Sequence, residues 1–165
     1  MTYKFQIRIL TIIICLTNAI VSVGQGLTTN KVKIDTSKTA IIPFDSKSIY
    51  PFDNTFKEST ITQDEIQTIE NLLIDCVNDY NNKLDKDHKQ WTIDLTKYNY
   101  RKQLIVVKNK KGEKEVWVNC FCDTWGSETW KTEIMTVLDG GKCYFNFKIN
   151  LTTKKFYDLG VNGNG

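Results

Sequence analysis

Between residues 61 and 84 the chain repeats apolar side chains at intervals of three and four. Ile66, Ile69, Leu73, Cys76, Val77, Tyr80 and Leu84 form one stripe about five turns long, with Gln67, Glu70, Asn71, Asp75, Asn78 and Asp79 on the opposite side. The start of this stripe is marked as well. Thr62 stands where an N-cap belongs and Glu65 follows three residues later, so each can satisfy the other's exposed backbone N–H, while Ile61 and Ile66 flank them as a hydrophobic staple. Asp64 and Glu65 also complement the positive end of a helix dipole. The pattern predicts a helix over residues 63–84 with a single face to bury.

After residue 100 the period changes to two. Cys143, Phe145, Phe147, Ile149 and Leu151 alternate with Tyr144, Asn146, Lys148 and Asn150, as in a strand with one buried face. A slip of one residue would turn all five apolar side chains outward, so this register is strongly specified. Lys102–Lys108 and Glu115–Cys122 read as two further β-rich runs joined by a turn at 109–113. Trp130–Leu138 and Lys142–Leu151 read as a second pair around Asp139-Gly140-Gly141, and Lys154–Leu159 as a last strand. One run sorts ambiguously. Val116, Val118, Cys120 and Cys122 share one face, and Trp117, Asn119 and Phe121 share the other, which is also partly apolar. Either that strand is central, or its outer face is covered by residues 25–60. Within 25–60, Thr39-Ala40-Ile41-Ile42 reads as one short strand ended by Pro43, and Phe44, Tyr50, Phe52 and Phe56 are available to pin an irregular stretch onto the core.

The N-terminus follows a different rule. Lys4 and Arg8 precede the apolar run Ile9–Leu16, no acidic residue occurs before Asp35, and Ser22 and Gly24 supply small side chains before Gln25. That is the three-part layout of a secretory signal peptide over residues 1–24. The run is about half the roughly 20 residues of a spanning helix, and Thr17 and Asn18 interrupt it, which argues against an uncleaved anchor. Lipid attachment at Cys15 is disfavoured by the bulky Ile14 before it. The expected organisation is therefore a signal peptide at 1–24, an irregular segment with one short strand at 25–60, an α+β domain at 61–161 and a flexible tail at 162–165. The expected location is secreted or periplasmic, with no membrane span after cleavage.

Loss of Lys4 and Arg8 leaves 20 basic against 19 acidic residues, which supplies no basic footprint for nucleic acid or a membrane surface. The local cluster Lys108-Asn109-Lys110-Lys111 adjoins Gly112 and reads as a solvated hairpin tip.

One long helix followed by an antiparallel meander of four to five strands belongs to the α+β class. A curled sheet wrapped on one helix, in that order, resembles the cystatin fold and the related nuclear-transport-factor-like cone. No cystatin sequence motif accompanies the order. Gln103-Leu104-Ile105-Val106-Val107 only echoes the inhibitor's Gln-x-Val-x-Gly, with the valine one place late and no glycine. The chain is also similar to a group of short secreted bacterial proteins. This likeness runs through Ile69-Glu70-Asn71-Leu72-Leu73, Cys76 and Tyr80-Asn81, then Val116–Cys122, then Asp139–Phe145 and Val161-Asn162-Gly163. That group has no known catalytic residues, so the likeness implies a fold and a compartment without a site.

Four cysteines remain after cleavage: Cys76, Cys120, Cys122 and Cys143. They permit disulfides in three full connectivities, and Cys76 faces the sheet by periodicity, where it could bridge helix to sheet. Metal ligation is not expected, because Cys-x-x-Cys pairs are missing and the single histidine, His88, falls in a polar loop. The same isolation of His88 argues against nucleophilic catalysis, and no glycine loop precedes a helix to cradle phosphate. No cofactor is implied. Asn150-Leu151-Thr152 matches a glycosylation acceptor, which matters only in a eukaryotic secretory pathway.

Two places remain for recognition. The segment from Asp123 through Trp125 and Glu128 to Trp130 interrupts the meander with two indoles and two carboxylates. It reads as a binding loop whose Trp125 stacks on a sugar or anchors a protein, or as packing in which Trp130 enters the core and Trp125 covers the sheet edge. The outer sheet face carries Trp117, Phe121 and Tyr144 beside Asn119, Asn146 and Lys148, and is a partner surface if uncovered. The expectation is a non-catalytic binding domain for a protein or glycan outside the cytoplasm. Its rivals are a carrier or enzyme with a pocket between helix and sheet, and a peptidase inhibitor.

Overall fold

The computed structural model describes residues 37–163. The signal-peptide expectation at 1–24 lies outside them. The fold is mixed α+β: one main helix, α1 (Gln63–Lys83), and an open, mostly antiparallel sheet. Its strands are β1 (Thr39–Ile41), β2 (Lys57–Glu58), β3 (Arg101–Lys108), β4 (Lys114–Phe121), β5 (Tyr144–Asn150) and β6 (Lys155–Val161). The order across the sheet is β1-β3-β4-β5-β6, and β2 also pairs with β3. The four long strands form the expected meander. The exception to antiparallel pairing is β1, which runs parallel to β3 with Ala40 opposite Gln103. β2 then pairs antiparallel at the other end of β3, so two short strands share one edge.

α1 begins as its sequence dictates. Glu65 N donates to Thr62 Oγ1 at 3.3 Å, and Thr62 N donates to Glu65 Oε2 at 2.8 Å. Ile66, Ile69, Leu72, Leu73, Cys76 and Val77 are buried, and they form one cluster with Leu104, Val106, Val116, Val118, Cys120, Phe145, Phe147 and Ile149. The burial of about 14 such side chains, at roughly 1.5–3 kcal/mol each for the larger ones, is what holds the layer together. Two ion pairs flank it, Lys102–Glu70 at 2.9 Å and Lys114–Glu65 at 2.6 Å.

β4 is central, and its other face is also covered. Ile105, Val107, Trp117, Phe121 and Tyr144 form a second cluster with Ala40, Ile42, Phe52 and Trp130. Both alternatives read from the ambiguous run therefore hold at once. Phe44 and Phe56 pack against this cluster, and Phe52 is buried in it.

Two expectations change, and the second relocates Cys143. Trp130–Leu138 is not a strand: residues 129–131 form a 3₁₀ turn and 132–138 are irregular. Asp139-Gly140-Gly141 is consequently not a hairpin turn; it leads into a 3₁₀ turn at Gly141–Cys143, and β5 starts only at Tyr144. Cys143 thus leaves the face of Phe145 and Phe147 and packs against the second cluster. The tail is tied down at its first two positions, where Asn162 N donates to Tyr144 O at 3.0 Å and Gly163 O accepts from Gly141 N at 2.9 Å.

Candidate functional site

The outer face is organised by a row of amides that crosses three adjacent strands. Gln103 on β3 is opposite Asn119 on β4, and Asn119 is opposite Asn146 on β5. Burying primary amides is costly unless every polar group finds a partner. Gln103 is fully buried, and its Nε2 donates to Trp130 O at 2.6 Å and Glu133 O at 2.5 Å. Its Oε1 accepts from Met135 N at 2.8 Å and from Asn119 Nδ2 at 3.1 Å. Asn119 Nδ2 also donates to Met135 O at 2.9 Å. Two side chains on the sheet thus take Trp130 O, Glu133 O and both backbone groups of Met135. They hold this irregular stretch against the face of the sheet, outside the ladder.

Asn146, the third amide, ends the row differently. Its Oδ1 accepts from Trp117 Nε1 at 3.2 Å and from Tyr50 Oη at 3.3 Å. Tyr50 meets Trp117 edge to face, with centroids 5.5 Å apart. Around these groups opens a recess of about 80 Å³ lined by Tyr50, Trp117, Asn119, Met135, Tyr144 and Asn162, among others. None of the lining residues is charged. Asn162 Nδ2 holds the far wall by donating to Val137 O and Asp139 O. Burial raises the Tyr50 and Tyr144 phenols above their ordinary range, so both remain hydroxyl donors at neutral pH.

Tyr144 joins the recess to Trp125. The two rings stack with centroids 5.7 Å apart and planes 19° from parallel. Trp125 is 65% exposed. Its backbone lies at φ 47°, followed by Gly126 at φ 75°, and its N–H donates to Asp123 Oδ1 at 2.8 Å. On the Tyr144 ring, a Cβ at Gly140 would come within 2.5 Å of Cδ2 and Cε2, and Gly140 has φ 94°. No other residue fits there. The whole segment is closed at its base by the Cys122–Cys143 disulfide, with Cys122 against the helix-side cluster and Cys143 against the outer one.

The remaining candidates fall elsewhere. Phe121 is fully buried and edge-on to Trp130, beneath the surface that a ligand meets. Trp117 is buried and lines the recess. Asp123 serves its own loop, since its carbonyl also accepts from Tyr144 Oη at 3.4 Å. Glu128 pairs with Lys131 at the surface, and that ammonium lowers its pKa. The two carboxylates thus serve separate local contacts. Cys76 and Cys120 are free thiols, buried in the helix-side core, so no helix-to-sheet bridge forms. Burial pushes the Cys76 thiol up to about 12 and raises that of Cys120 as well, which leaves both as inert thiols. His88 is exposed, 2.7 Å from Asp85. Among the described residues no group of three or more His, Cys, Asp or Glu side chains could hold a metal ion, and no helix is long and apolar enough to cross a membrane.

A wider cleft of about 220 Å³ lies beside the disulfide, lined by Gln90, Trp91, Tyr98, Gly140, Lys142 and Cys143. The Lys142 ammonium there is taken by Gln90 O at 2.7 Å.

The residues that sequence reasoning left without a functional role are Gln103, Tyr50 and Asn162. Gln103 had a detectable signal. A hairpin centred on residue 111 sets it opposite Asn119, so two amides meet on the outer face. Tyr50 and Asn162 had none, because both reach the site from irregular segments. Comparison with protein families, curated proteins and solved structures found no match to this chain.

Proposed function

We propose that this protein is exported through residues 1–24 and acts outside the cytoplasm as a non-catalytic binding domain, with the outer sheet face as its contact surface. The observation that carries this reading is Trp125. A bulky side chain in the left-handed region is an outlier that the surroundings must enforce, and such strain concentrates at functional sites. Here Asp123 fixes the backbone and Tyr144 supports the ring, while 65% of the residue faces solvent. A pre-positioned indole is a suitable anchor, since little freedom is left to lose on binding. The order of α1 before β3–β6 supports describing the fold as cystatin-like.

The rival readings have less support. A carrier or enzyme pocket between helix and sheet would need space where Ile69, Cys76 and Phe147 are each fully buried. A peptidase inhibitor of the cystatin type would present its glutamine on an exposed hairpin. Gln103 lies inside β3 and is wholly engaged, and the hairpin tip is at 109–113.

The test is retention of residues 25–165 on cell-surface material of the producing organism, with wild type and Trp125→Ala compared. Loss of retention at an unchanged unfolding midpoint is expected. Equal retention of the variant would remove this face from the proposal.

A further inference from the structure

We infer that the Trp125 platform and the adjoining recess together take a neutral saccharide, with a sugar ring lying on the indole and one ring substituent entering the recess. This rests on the reading that the outer face is the contact surface, and adds the chemical class of what it contacts.

Three observations lead to that class. The first is charge. The recess is lined by phenols, an indole, amides, a hydroxyl and aliphatic groups, with no ammonium, guanidinium or carboxylate among them. An ionic ligand entering it would lose hydration with no opposite charge to meet. The second is unspent hydrogen-bonding capacity. Asn146 spends its Oδ1 on Tyr50 and Trp117, and among the described residues nothing takes its Nδ2 hydrogens. Asn162 spends its Nδ2 on Val137 O and Asp139 O, and its Oδ1 has no protein partner among the described residues. Two recess-lining residues with a spare donor and a spare acceptor match a hydroxyl or an acetamido group, each of which both gives and accepts. The neighbour of Asn146 on β6 is Gly160, which carries no side chain to cover that amide.

The third observation is shape. The recess, at about 80 Å³, is well below the roughly 300–1,000 Å³ that encloses a whole small molecule. It suits a substituent, and the body of the ligand must lie outside it. What lies outside is a flat ring, Trp125, one stacking distance from Tyr144 in the recess wall. The axial C–H face of a pyranose is flat and apolar and its edge is polar, so a ring on the indole can lower its edge groups toward Asn146 and Asn162. Tyr50, 52% exposed, provides the opposite rim.

The experiment is an amide-detected NMR titration of residues 25–165 with neutral trisaccharides: N-acetylglucosamine, glucose in its α- and β-linked forms, mannose and xylose. Indole N–H signals of Trp125 and Trp117 and the side-chain amides of Asn146 and Asn162 are followed. At least one sugar is expected to shift all four saturably. Trp125→Ala should weaken that sugar at least tenfold, and so should Thr136→Trp, which plugs the recess from an exposed lining position. Absence of saturable shifts with every sugar would overturn the inference, as would binding that survives both substitutions. Saturation by a neutral proline-rich peptide with no response to sugars would also overturn it. If surface retention depends on Trp125 while sugars fail, only this inference falls; if retention ignores Trp125, the underlying reading falls with it.

Discussion

On one face of the sheet, Val106, Val118 and Phe147 meet a single regular helix; on the other, Ile105, Trp117 and Phe121 meet two irregular segments, 40–56 and 130–137. Both faces carry a buried apolar cluster, but they are closed by different means. On the helix side α1 satisfies its interior backbone groups within itself and its N-terminus is capped by Thr62 and Glu65, so apolar contact dominates between the layers, flanked by two ion pairs. On the outer side the covering segments, beyond the short pairing of β1 with β3, have no ladder of their own. Gln103, Asn119 and Asn162 take backbone groups of Trp130, Glu133, Met135, Val137 and Asp139, and one disulfide ties the base of that segment. A layer held by a few specific side chains can leave gaps between them. The gap at Asn146 is one, and the proposed site occupies it. On the proposed reading the helix side supplies stability and the outer side recognition, as when loops on a rigid scaffold carry binding.

The comparison predicts unequal responses to mutation. Phe147→Ala removes a fully buried ring from the helix-side core and should cost about 3–5 kcal/mol, measured by denaturant unfolding. Both layers should melt together, because the outer one has nothing to cover once the sheet is lost. Survival of the near-UV signal of Trp117 and Trp130 after the helical signal has gone would reverse the assigned hierarchy.

Opening the disulfide by replacing Cys122 and Cys143 with Ser attacks the other layer. The bridge spans 21 positions, and its loop-closure contribution is about 3 kcal/mol in the chain-entropy account. Unlike the Phe147 change, this one should act locally first. Hydrogen exchange should accelerate across 123–142 while α1 and β3–β5 remain protected. Uniform acceleration would mean that the two layers are one cooperative unit.

These two layers also differ in how far the sequence foretells them. Thr62, Glu65 and the three-and-four spacing of Ile66, Ile69, Leu73 and Cys76 are local signals, and the helix they announce ends within a residue of its expected bound. Phe145, Phe147 and Ile149 signal their face by period alone. The 130–138 stretch misleads because its fate is decided far away. Its apolar residues resemble a strand, yet its partners are Gln103 and Asn119, 27 and 16 positions distant. The pairing of Cys122 with Cys143 was one of several open possibilities, and spacing alone could not choose it. Trp125 was legible as a loop indole with two readings, a binding anchor or a cover for the sheet edge. Its support by Tyr144 and Gly140 was not, since that needs β5 to start one residue after Cys143.

Gln103→Leu tests the amide clamp directly. Its apolar volume is similar, but Trp130 O, Glu133 O and Met135 N lose their partner. Leaving buried groups unpaired should cost about 2 kcal/mol, less than the core truncation. The loss should appear as faster exchange at Met135 and a changed environment for the Trp130 indole. An unaltered Met135 amide would show that water or the disulfide holds this segment without the clamp.

The smallest expected effect returns to the helix side and depends on pH. Burial pushes Glu65 upward, but hydrogen bonds from Lys114 and Thr62 outweigh it, and the net pKa falls below the usual glutamate range. A carboxylate depressed by folding contributes stability that is complete above its unfolded value, roughly 4.3, and is lost as pH falls through the lower folded value. Glu65→Gln keeps a group able to cap Thr62 N but cannot pair with Lys114. Wild type should therefore be more stable at pH 7 by about 0.5–1 kcal/mol, the scale of a partly exposed ion pair, and the difference should shrink as pH falls through the lowered folded value of Glu65. The same acid titration should leave exchange at Met135 unchanged, because the groups that hold it, Gln103 and Asn119, do not ionise. If Met135 opened together with α1 as Glu65 is protonated, the two faces would be coupled through the sheet, and the separation of a stabilising side from a recognising side would fail.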